Sequence, residues 1–223
     1  MTTGLARPRA ILFDVGNTLL EERWFNLDAG IAAVSSDQSL ADAFRVESAR
    51  CHANHAELLL AQWLRRRTPD LARQSVEAIE DAIWPAVVEL APAPHVRETL
   101  ERLAAEQIAL GAISNAAFSG RVLGAELARH GFGKHLQFVI SSGDVGTRKP
   151  SPGIYDLALN RLGVPARKTW FVGDTEAEDL VGAEAVGLMP ILFSAFAQSI
   201  PPATGRRVVH SWPEFVELFT ATT

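Results

Sequence analysis

Charged and polar side chains follow several short apolar runs of this sequence, at the points where those runs end. They are Asp14 in LFDVGNT, Ser114 and Asn115 in GAISNAA, Lys149 in GTRKPSP, and Asp174 and Asp179 in FVGDTEAED. Carboxylates can act as nucleophiles and as oxygen ligands for a hard cation, and lysine supplies a compact positive charge. Taken alone, an aspartate at such a point is typical of a turn or a helix N-cap, Ser-Asn is an ordinary turn pair, and Lys149 would be a solvated loop charge. Their order and spacing together favour one shared site over a set of unrelated turns.

The apolar runs themselves predict the strands that position these groups. Runs of strand length span Ala10–Phe13, Leu110–Ile113, Phe138–Ile140, Thr169–Val172 and Met189–Phe193. Helical periodicity characterises the segments Val96–Ala105, Gly120–His130, Ile154–Leu162 and Glu176–Val186. The alternation predicts an α/β fold with a Rossmann-like parallel sheet that is covered on both faces. In such sheets, ligands bind beyond the carboxyl ends of the strands, where these polar groups fall.

One long segment interrupts the alternation. From about residue 19 to residue 93 the pattern is helical and contains no convincing strand. The prolines of APAPH, at 91–95, close the segment. We therefore predict a core formed by residues 1–18 and 94–223, with residues 19–93 inserted after the first strand as a helical cap.

Composition and charge narrow the class of protein. The chain has 223 residues, of which 48% are hydrophobic, and a formal net charge of −5. This balance argues against non-specific binding to nucleic acids or anionic membranes. No apolar run approaches the ~18 residues of a membrane span, and the N-terminal stretch lacks a signal-peptide pattern. The single cysteine, Cys51, allows no intrachain disulfide, so a cytoplasmic location is expected.

Taken in order, the motifs resemble those of the haloacid dehalogenase superfamily, a large group of mostly magnesium-dependent phosphatases. The resemblance covers the chain from Ile11 to about Leu192. The insertion after the first strand is similar to the type-1 helical cap of that family. The resemblance implies a hydrolase that acts on phosphoryl groups.

The resemblance also implies roles for individual residues. Asp14 would be the nucleophile that attacks phosphorus and forms an aspartyl-phosphate. Lys149 would place positive charge near the phosphoryl oxygens and Asp14. The Ser114 hydroxyl and the Asn115 backbone N–H would hold a phosphoryl oxygen, and Thr18 is expected to orient the nucleophile.

A divalent cation would complete this site. Two carboxylates, Asp14 and Asp174, would repel a phosphate dianion, and a cation removes that repulsion. Oxygen ligands and a phosphate suit Mg²⁺. The family pattern adds the backbone carbonyl of Gly16 as a ligand, and Asp179 is expected to act indirectly or through water.

Gly16 departs from the family pattern, which usually has an aspartate two residues after the nucleophile. That aspartate protonates the leaving group and then activates water, a contribution of ~10²–10⁴-fold. Phosphonatases lack it and use a cap lysine, but residues 19–93 contain no lysine. Haloacid dehalogenases also lack it, but they do not carry the acidic motif that Asp174 and Asp179 form here. A phosphatase with altered acid–base chemistry, or one that has lost activity, is the remaining branch.

Two explanations of the glycine stay open. Either the substrate has a weakly basic leaving group, as in acyl and aryl phosphates, or another residue delivers the proton. Candidates for that residue are Glu21, Glu22, His52 and His55. Cys51 beside the two histidines does not complete a zinc-ligand pattern.

The aromatic residues of the insertion are expected to pack in its core, although one of them could line a substrate pocket. They are Trp24, Phe25, Trp63 and Trp84. The arginines at 65–67 are expected to form a solvated helix end.

The sequence thus predicts a Mg²⁺-dependent hydrolase of a small phosphorylated metabolite. The alternative is a catalytically weak relative that binds a phosphorylated ligand or a partner protein, and a 2-haloacid dehalogenase is the third candidate. The sequence specifies neither the substrate nor the oligomeric state.

Overall fold

The computed structural model describes residues 6–196 and 206–222. In these residues the strands are β1 Ala10–Phe13, β2 Leu20–Phe25, β3 Val88–Pro92, β4 Ala109–Ser114, β5 Val139–Ser141, β6 Thr169–Gly173, β7 Met189–Phe193 and β8 Arg207–Val209. The α-helices are α1 Leu27–Ala32, α2 Ser39–His52, α3 Leu60–Arg67, α4 Val76–Val87, α5 Val96–Ala105, α6 Gly120–Arg129, α7 Ser142–Val145, α8 Pro152–Leu162, α9 Val181–Ala185 and α10 Trp212–Thr220. Short 3₁₀ turns occur at Pro69–Leu71, Gly133–His135 and Ala166–Lys168, and a π-helix at Glu176–Leu180.

The core is a parallel sheet of six strands in the order β5-β4-β1-β6-β7-β8. The α/β, Rossmann-like prediction is therefore confirmed, and the five predicted strands agree with the observed ones to within a residue or so. The predicted helix Glu176–Val186 instead begins as the π-helix and continues as α9. The sequence pattern does not predict the strand β8 or the helix α10.

Side chains alternate between two apolar layers on opposite faces of the sheet. On β1, Ile11 and Phe13 join one cluster, while Ala10 and Leu12 join the other. In the first layer Trp212 of α10 packs against Phe193, with ring centroids 4.7 Å apart. Because both faces are covered, polar groups can reach a ligand only at the ends of the strands.

The insertion contains a strand pair that the sequence pattern does not predict. β2 and β3 form a separate antiparallel sheet, so the prediction of a strand-free segment from 19 to 93 is wrong. The sequence LEERWF of β2 lacks an apolar alternation, and β3 ends in proline. The two strands also pair across more than sixty residues of helical sequence, which no local pattern reveals.

The helices α1 to α4 share an apolar cluster of their own. It includes Ile31, Phe44, Trp63 and Ile83. Phe118, which lies outside the insertion between β4 and α6, also belongs to this cluster. The rings of Trp63 and Phe44 meet edge-on, with centroids 5.2 Å apart. This cluster is consistent with the proposed division into a core and an inserted cap.

The four insertion aromatics divide into two pairs. Trp63 is buried, and Trp84 packs edge-on against Phe118, as expected. Trp24 and Phe25 lie on the exposed β2 and are 41% and 52% exposed, so for them the packing prediction is wrong.

Arginines 65–67 are exposed at the end of α3, as predicted. No helix in the described parts of the chain has the length and apolarity needed to cross a bilayer.

Candidate active site

The predicted site residues meet at the carboxyl edge of the sheet because β4, β1 and β6 are neighbours. Asp14 follows β1, and its backbone N–H donates to the Val172 carbonyl of β6 at 2.9 Å. Ser114 ends β4, and Asp174 follows β6 directly. Lys149 comes from the loop between α7 and α8. The topology alone therefore places groups from distant parts of the sequence side by side.

Lys149 is the electrostatic centre of the site. Its Nζ donates to Asp14 Oδ1 and to Asp179 Oδ1, each at 2.5 Å, and its side chain is 2% exposed. Burial alone lowers the pKa of Lys149. The carboxylates of Asp14 and Asp179 outweigh that effect and hold the pKa above its usual range, so the ammonium stays charged.

The carboxylates carry more negative charge than Lys149 balances. Burial raises the pKa of Asp14 to about 8, since desolvation exceeds the attraction of Lys149 while Asp179 and Asp174 add repulsion. Burial and the Asp179 carboxylate raise the pKa of Asp174 to about 6. Three carboxylates around one ammonium leave an excess that a second cation would neutralise.

The donor set fits a hard divalent cation. Within the described residues, the one cluster of at least three potential His, Cys, Asp or Glu ligands comprises Asp14, Asp174 and Asp179, whose ligand atoms lie within 4.8 Å of one another. Oxygen donors of this type are those that Mg²⁺ prefers. Cys51, His52 and His55 form no such cluster.

Asp179 is already engaged by protein groups. Its Oδ1 accepts from Lys149, and its Oδ2 accepts from the backbone N–H of Thr175 at 2.9 Å. Its carboxyl group also packs against the end of β6, where a Cβ on Gly173 would lie 2.5 Å from Asp179 Cγ. Only glycine permits this approach. Each oxygen of Asp179 thus accepts one hydrogen bond from the protein, and the indirect role of this residue stays a prediction.

Ser114 and Asn115 differ in what they offer a ligand. The Ser114 hydroxyl has no hydrogen-bond partner among the described residues and lines a cavity. The Asn115 side chain accepts from the Lys149 backbone N–H at 2.8 Å and donates to the Lys149 carbonyl at 3.0 Å. It therefore fixes the lysine loop, and its own backbone N–H has no partner in the described parts of the chain.

Glu178, in the π-helix, holds this loop through two contacts, one with Asn115 and one with Arg148, the residue before Lys149. Glu178 accepts from Asn115 Nδ2 at 2.8 Å and from Arg148 at 3.0 Å. Neither Glu178 nor Arg148 ends a strand or belongs to an apolar run, so the sequence pattern gives no signal for their contacts. Thr18, four residues after Asp14, is fully buried, and its hydroxyl has no hydrogen-bond partner within the described residues. The expected orientation of Asp14 by Thr18 thus has no hydrogen bond to support it.

Neither space nor backbone conformation requires glycine at position 16. A Cβ at Gly16 would meet no atom within 4 Å. The φ angle of Gly16 lies outside the left-handed region, whereas that of Asn17 is 50°. The site therefore has open space where the family pattern places a proton donor.

Two cavities extend from this edge toward the insertion. One of about 220 Å³ is lined by Gly16, Glu22, Phe25, Ser114 and other residues. The second, of about 330 Å³, is lined by His52, Glu57, Arg148 and others. Phe25 lines both, so one insertion aromatic does reach a pocket.

Three of the predicted proton-donor candidates, Glu21, His52 and His55, either pair with other side chains or line neither cavity. His52 Nε2 lies 2.8 Å from Glu57 Oε1 and 3.0 Å from Ser48 Oγ, so it is held in a side-chain network. Glu21 pairs with Arg23 at 2.9 Å. His55 lines neither cavity, and its carbonyl accepts from the Arg148 N–H at 3.0 Å.

Comparison with known proteins places the chain in a family. A profile described as haloacid dehalogenase-like hydrolase matches residues 8–187, so the chain belongs to the haloacid dehalogenase-like hydrolases. It is 29% identical to a ribulose-1,5-bisphosphate 5-phosphatase of Halopiger xanaduensis, with 94% of this chain and 97% of the relative covered. It is 30% identical to a glyceraldehyde 3-phosphate phosphatase of Methanopyrus kandleri over 82% of each chain. A solved HAD phosphatase from Thermococcus onnurineus has the same fold, with a TM-score of 0.66, 18% identity and coverage of 96% and 99%.

Proposed function

We propose that the protein is a Mg²⁺-dependent phosphatase of a small phosphorylated metabolite. The observation that carries the proposal is the bridge from Lys149 to both Asp14 and Asp179, with Asp174 at the same edge. A protein that only bound a phosphorylated ligand would not need a buried carboxylate held against a lysine. The names of the Halopiger and Methanopyrus relatives support small phosphorylated substrates.

Asp14 is the nucleophile in this proposal. One carboxylate oxygen of Asp14 forms a bond to phosphorus as the bond between phosphorus and the leaving oxygen breaks. Water then attacks phosphorus, releases phosphate and regenerates the Asp14 carboxylate. Burial disfavours the ionised form of Asp14, and the contact with Lys149 counteracts that effect. Lys149 therefore helps to keep the nucleophile in its reactive form.

The other site residues hold the phosphoryl group and the cation. Ser114 Oγ and the Asn115 backbone N–H are both free to donate to a phosphoryl oxygen. Mg²⁺ would be held by Asp14, Asp174 and the Gly16 carbonyl, and would supply neutralisation of the charge that gathers on the phosphoryl oxygens. Asp179 positions Lys149 in this arrangement, and Thr18 is buried in the segment that follows Asp14.

Residues 19–93 act as the cap in this proposal, and residues 1–18 and 94–223 as the catalytic core. A cap that covers the cavities would exclude water and restrict the site to small substrates. The lack of disulfide potential is consistent with a cytoplasmic enzyme.

A turnover assay with p-nitrophenyl phosphate, with and without Mg²⁺, tests the proposal. We expect release of p-nitrophenol that requires Mg²⁺ and is abolished by a chelator. Absence of turnover on p-nitrophenyl phosphate and on a panel of phosphorylated metabolites would favour the binding protein instead. Halide release from a 2-haloacid without metal would identify a dehalogenase.

A further inference from the structure

The smaller cavity joins Gly16 to a single ionisable side chain. Its walls are apolar and aromatic, apart from Gly16, Ser114, Asn115 and Glu22. Among the residues that line it, Glu22 alone has an ionisable side chain. The same cavity includes the open space beside Gly16, where a Cβ would meet nothing within 4 Å. A leaving oxygen that departs from phosphorus, on the side away from Asp14 and into this cavity, would therefore find one acid there.

The pairing of β2 with β3 explains why Glu22 lines the cavity. The Glu22 backbone N–H donates to Asn17 Oδ1 at 3.2 Å, which ties β2 to the loop after Asp14. Glu22 lies opposite Leu90, but the register shifts before Trp24, which lies opposite Glu89. Such a bulge re-aims the neighbouring side chains. Glu22 and Phe25 line the cavity as a result, whereas the Trp24 indole N–H turns to Glu89 at 2.6 Å.

Glu22 is also chemically free to act. Its carboxyl group has no hydrogen-bond or ion-pair partner among the described residues, whereas the adjacent Glu21 is paired with Arg23. Although the residue is exposed overall, desolvation raises the pKa of its carboxyl group above the ordinary value, the direction that favours a general acid.

We propose that Glu22 is the general acid and base of this enzyme, in place of the aspartate that Gly16 lacks. The inference rests on the phosphatase function proposed above. In the first step the Glu22 carboxyl proton passes to the leaving oxygen as its bond to phosphorus breaks and Asp14 bonds to phosphorus. In the second step the Glu22 carboxylate takes a proton from water as the water oxygen attacks phosphorus and the bond to Asp14 breaks. Both steps together return Glu22 to its protonated form and Asp14 to its carboxylate.

Paired substrates test the assignment. The p-nitrophenolate ion leaves without a proton, whereas the alkoxide of an alkyl phosphate such as glyceraldehyde 3-phosphate is strongly basic and requires one. Glu22→Gln should lower kcat/KM for glyceraldehyde 3-phosphate by ~10²–10⁴-fold and that for p-nitrophenyl phosphate by less than ~10-fold. Glu21→Gln, the matched neighbour outside the cavity, should change neither value. The double variant Gly16→Asp with Glu22→Gln should recover most of the activity on the alkyl phosphate.

The outcomes separate this inference from the function on which it rests. Retained hydrolysis of p-nitrophenyl phosphate by Glu22→Gln shows that the variant is folded and that the nucleophile works. An equal loss on both substrates, no loss, or a wild type active only on the aryl phosphate would overturn the role of Glu22 and leave the phosphatase function standing. A wild type inert on both substrates with Mg²⁺ would overturn the function and the assignment together.

Discussion

The two sides of the candidate site are built differently. On the sheet side, Asp14, Lys149 and Asp179 are buried, and the lysine donates to both carboxyl groups. On the insertion side, the cavity walls are mainly apolar and aromatic, with Glu22 as the one ionisable group in the smaller cavity. The sheet side has a fixed geometry that suits the chemistry shared by a family. The insertion side offers shape and, in the smaller cavity, the proposed proton donor Glu22, which suits selection among leaving groups.

The largest effect is expected on the sheet side. Asp14→Asn should reduce turnover by roughly 10⁴-fold or more, as loss of a covalent nucleophile does in other enzymes. The amide is nearly isosteric with the carboxylate, so the variant should still fold, which a thermal melt would check. Substantial hydrolysis by the folded variant would contradict the covalent mechanism and show that the bonded cluster is structural.

Substitutions in the apolar cluster of the insertion should lower the stability of the protein rather than alter its chemistry directly. Trp63 is 3% exposed and packs in the apolar cluster of the insertion, so Trp63→Ala should lower the free energy of unfolding by ~3–5 kcal/mol. Trp24→Ala is the matched control: the same substitution at a residue that is 41% exposed on β2 should cost ~1 kcal/mol or less. Denaturant titration measures both. Equal losses would mean that packing on the β2–β3 sheet contributes as much to the free energy of unfolding as packing in the helical cluster.

A smaller effect is expected when the cation ligands are changed. Asp174→Ala should raise the Mg²⁺ concentration needed for half-maximal activity by at least ~10-fold, since the proposed site would lose a direct ligand. The chelated wild type should be inactive on the same substrate. If chelation leaves wild-type activity intact, the carboxylate cluster does not serve a metal.

The same contrast explains what the sequence can predict. Asp14 and Asp174 each closely follow a buried apolar run, so a parallel topology by itself implies that they lie near each other. Lys149 comes from a loop, and its place in the site follows from motif order. The long-range pairing of β2 with β3, and the bulge after Glu22, leave no local pattern.

The sequence predictions that are wrong, or that gain no support, also concern contacts that no local pattern reveals. Trp24 and Phe25 are expected to pack because aromatic residues usually do, but they lie on a two-stranded sheet with an exposed face. Thr18 is expected to orient Asp14, yet its buried hydroxyl has no partner in the described parts of the chain. The placement of residues at strand ends can be predicted from the sequence, whereas contacts between the β2–β3 sheet and the core cannot.

The smallest effect is expected at Gly16, where the two sides of the site meet. If Glu22 already supplies the proton, Gly16→Asp in the wild-type background adds a second acid to a reaction that has one. The rate on an alkyl phosphate should then change by less than ~10-fold, although the same substitution restores activity in the Glu22→Gln variant. The aspartate should fit without loss of stability, because a Cβ there meets nothing within 4 Å and the φ angle suits any residue. The measurement is kcat/KM for paired alkyl and aryl phosphates, with a thermal melt for each variant. A gain of ~10²-fold or more, confined to the alkyl phosphate, would show instead that the wild type lacks a proton donor. The glycine would then mark an enzyme for acyl or aryl phosphates, and the insertion side would contribute shape alone.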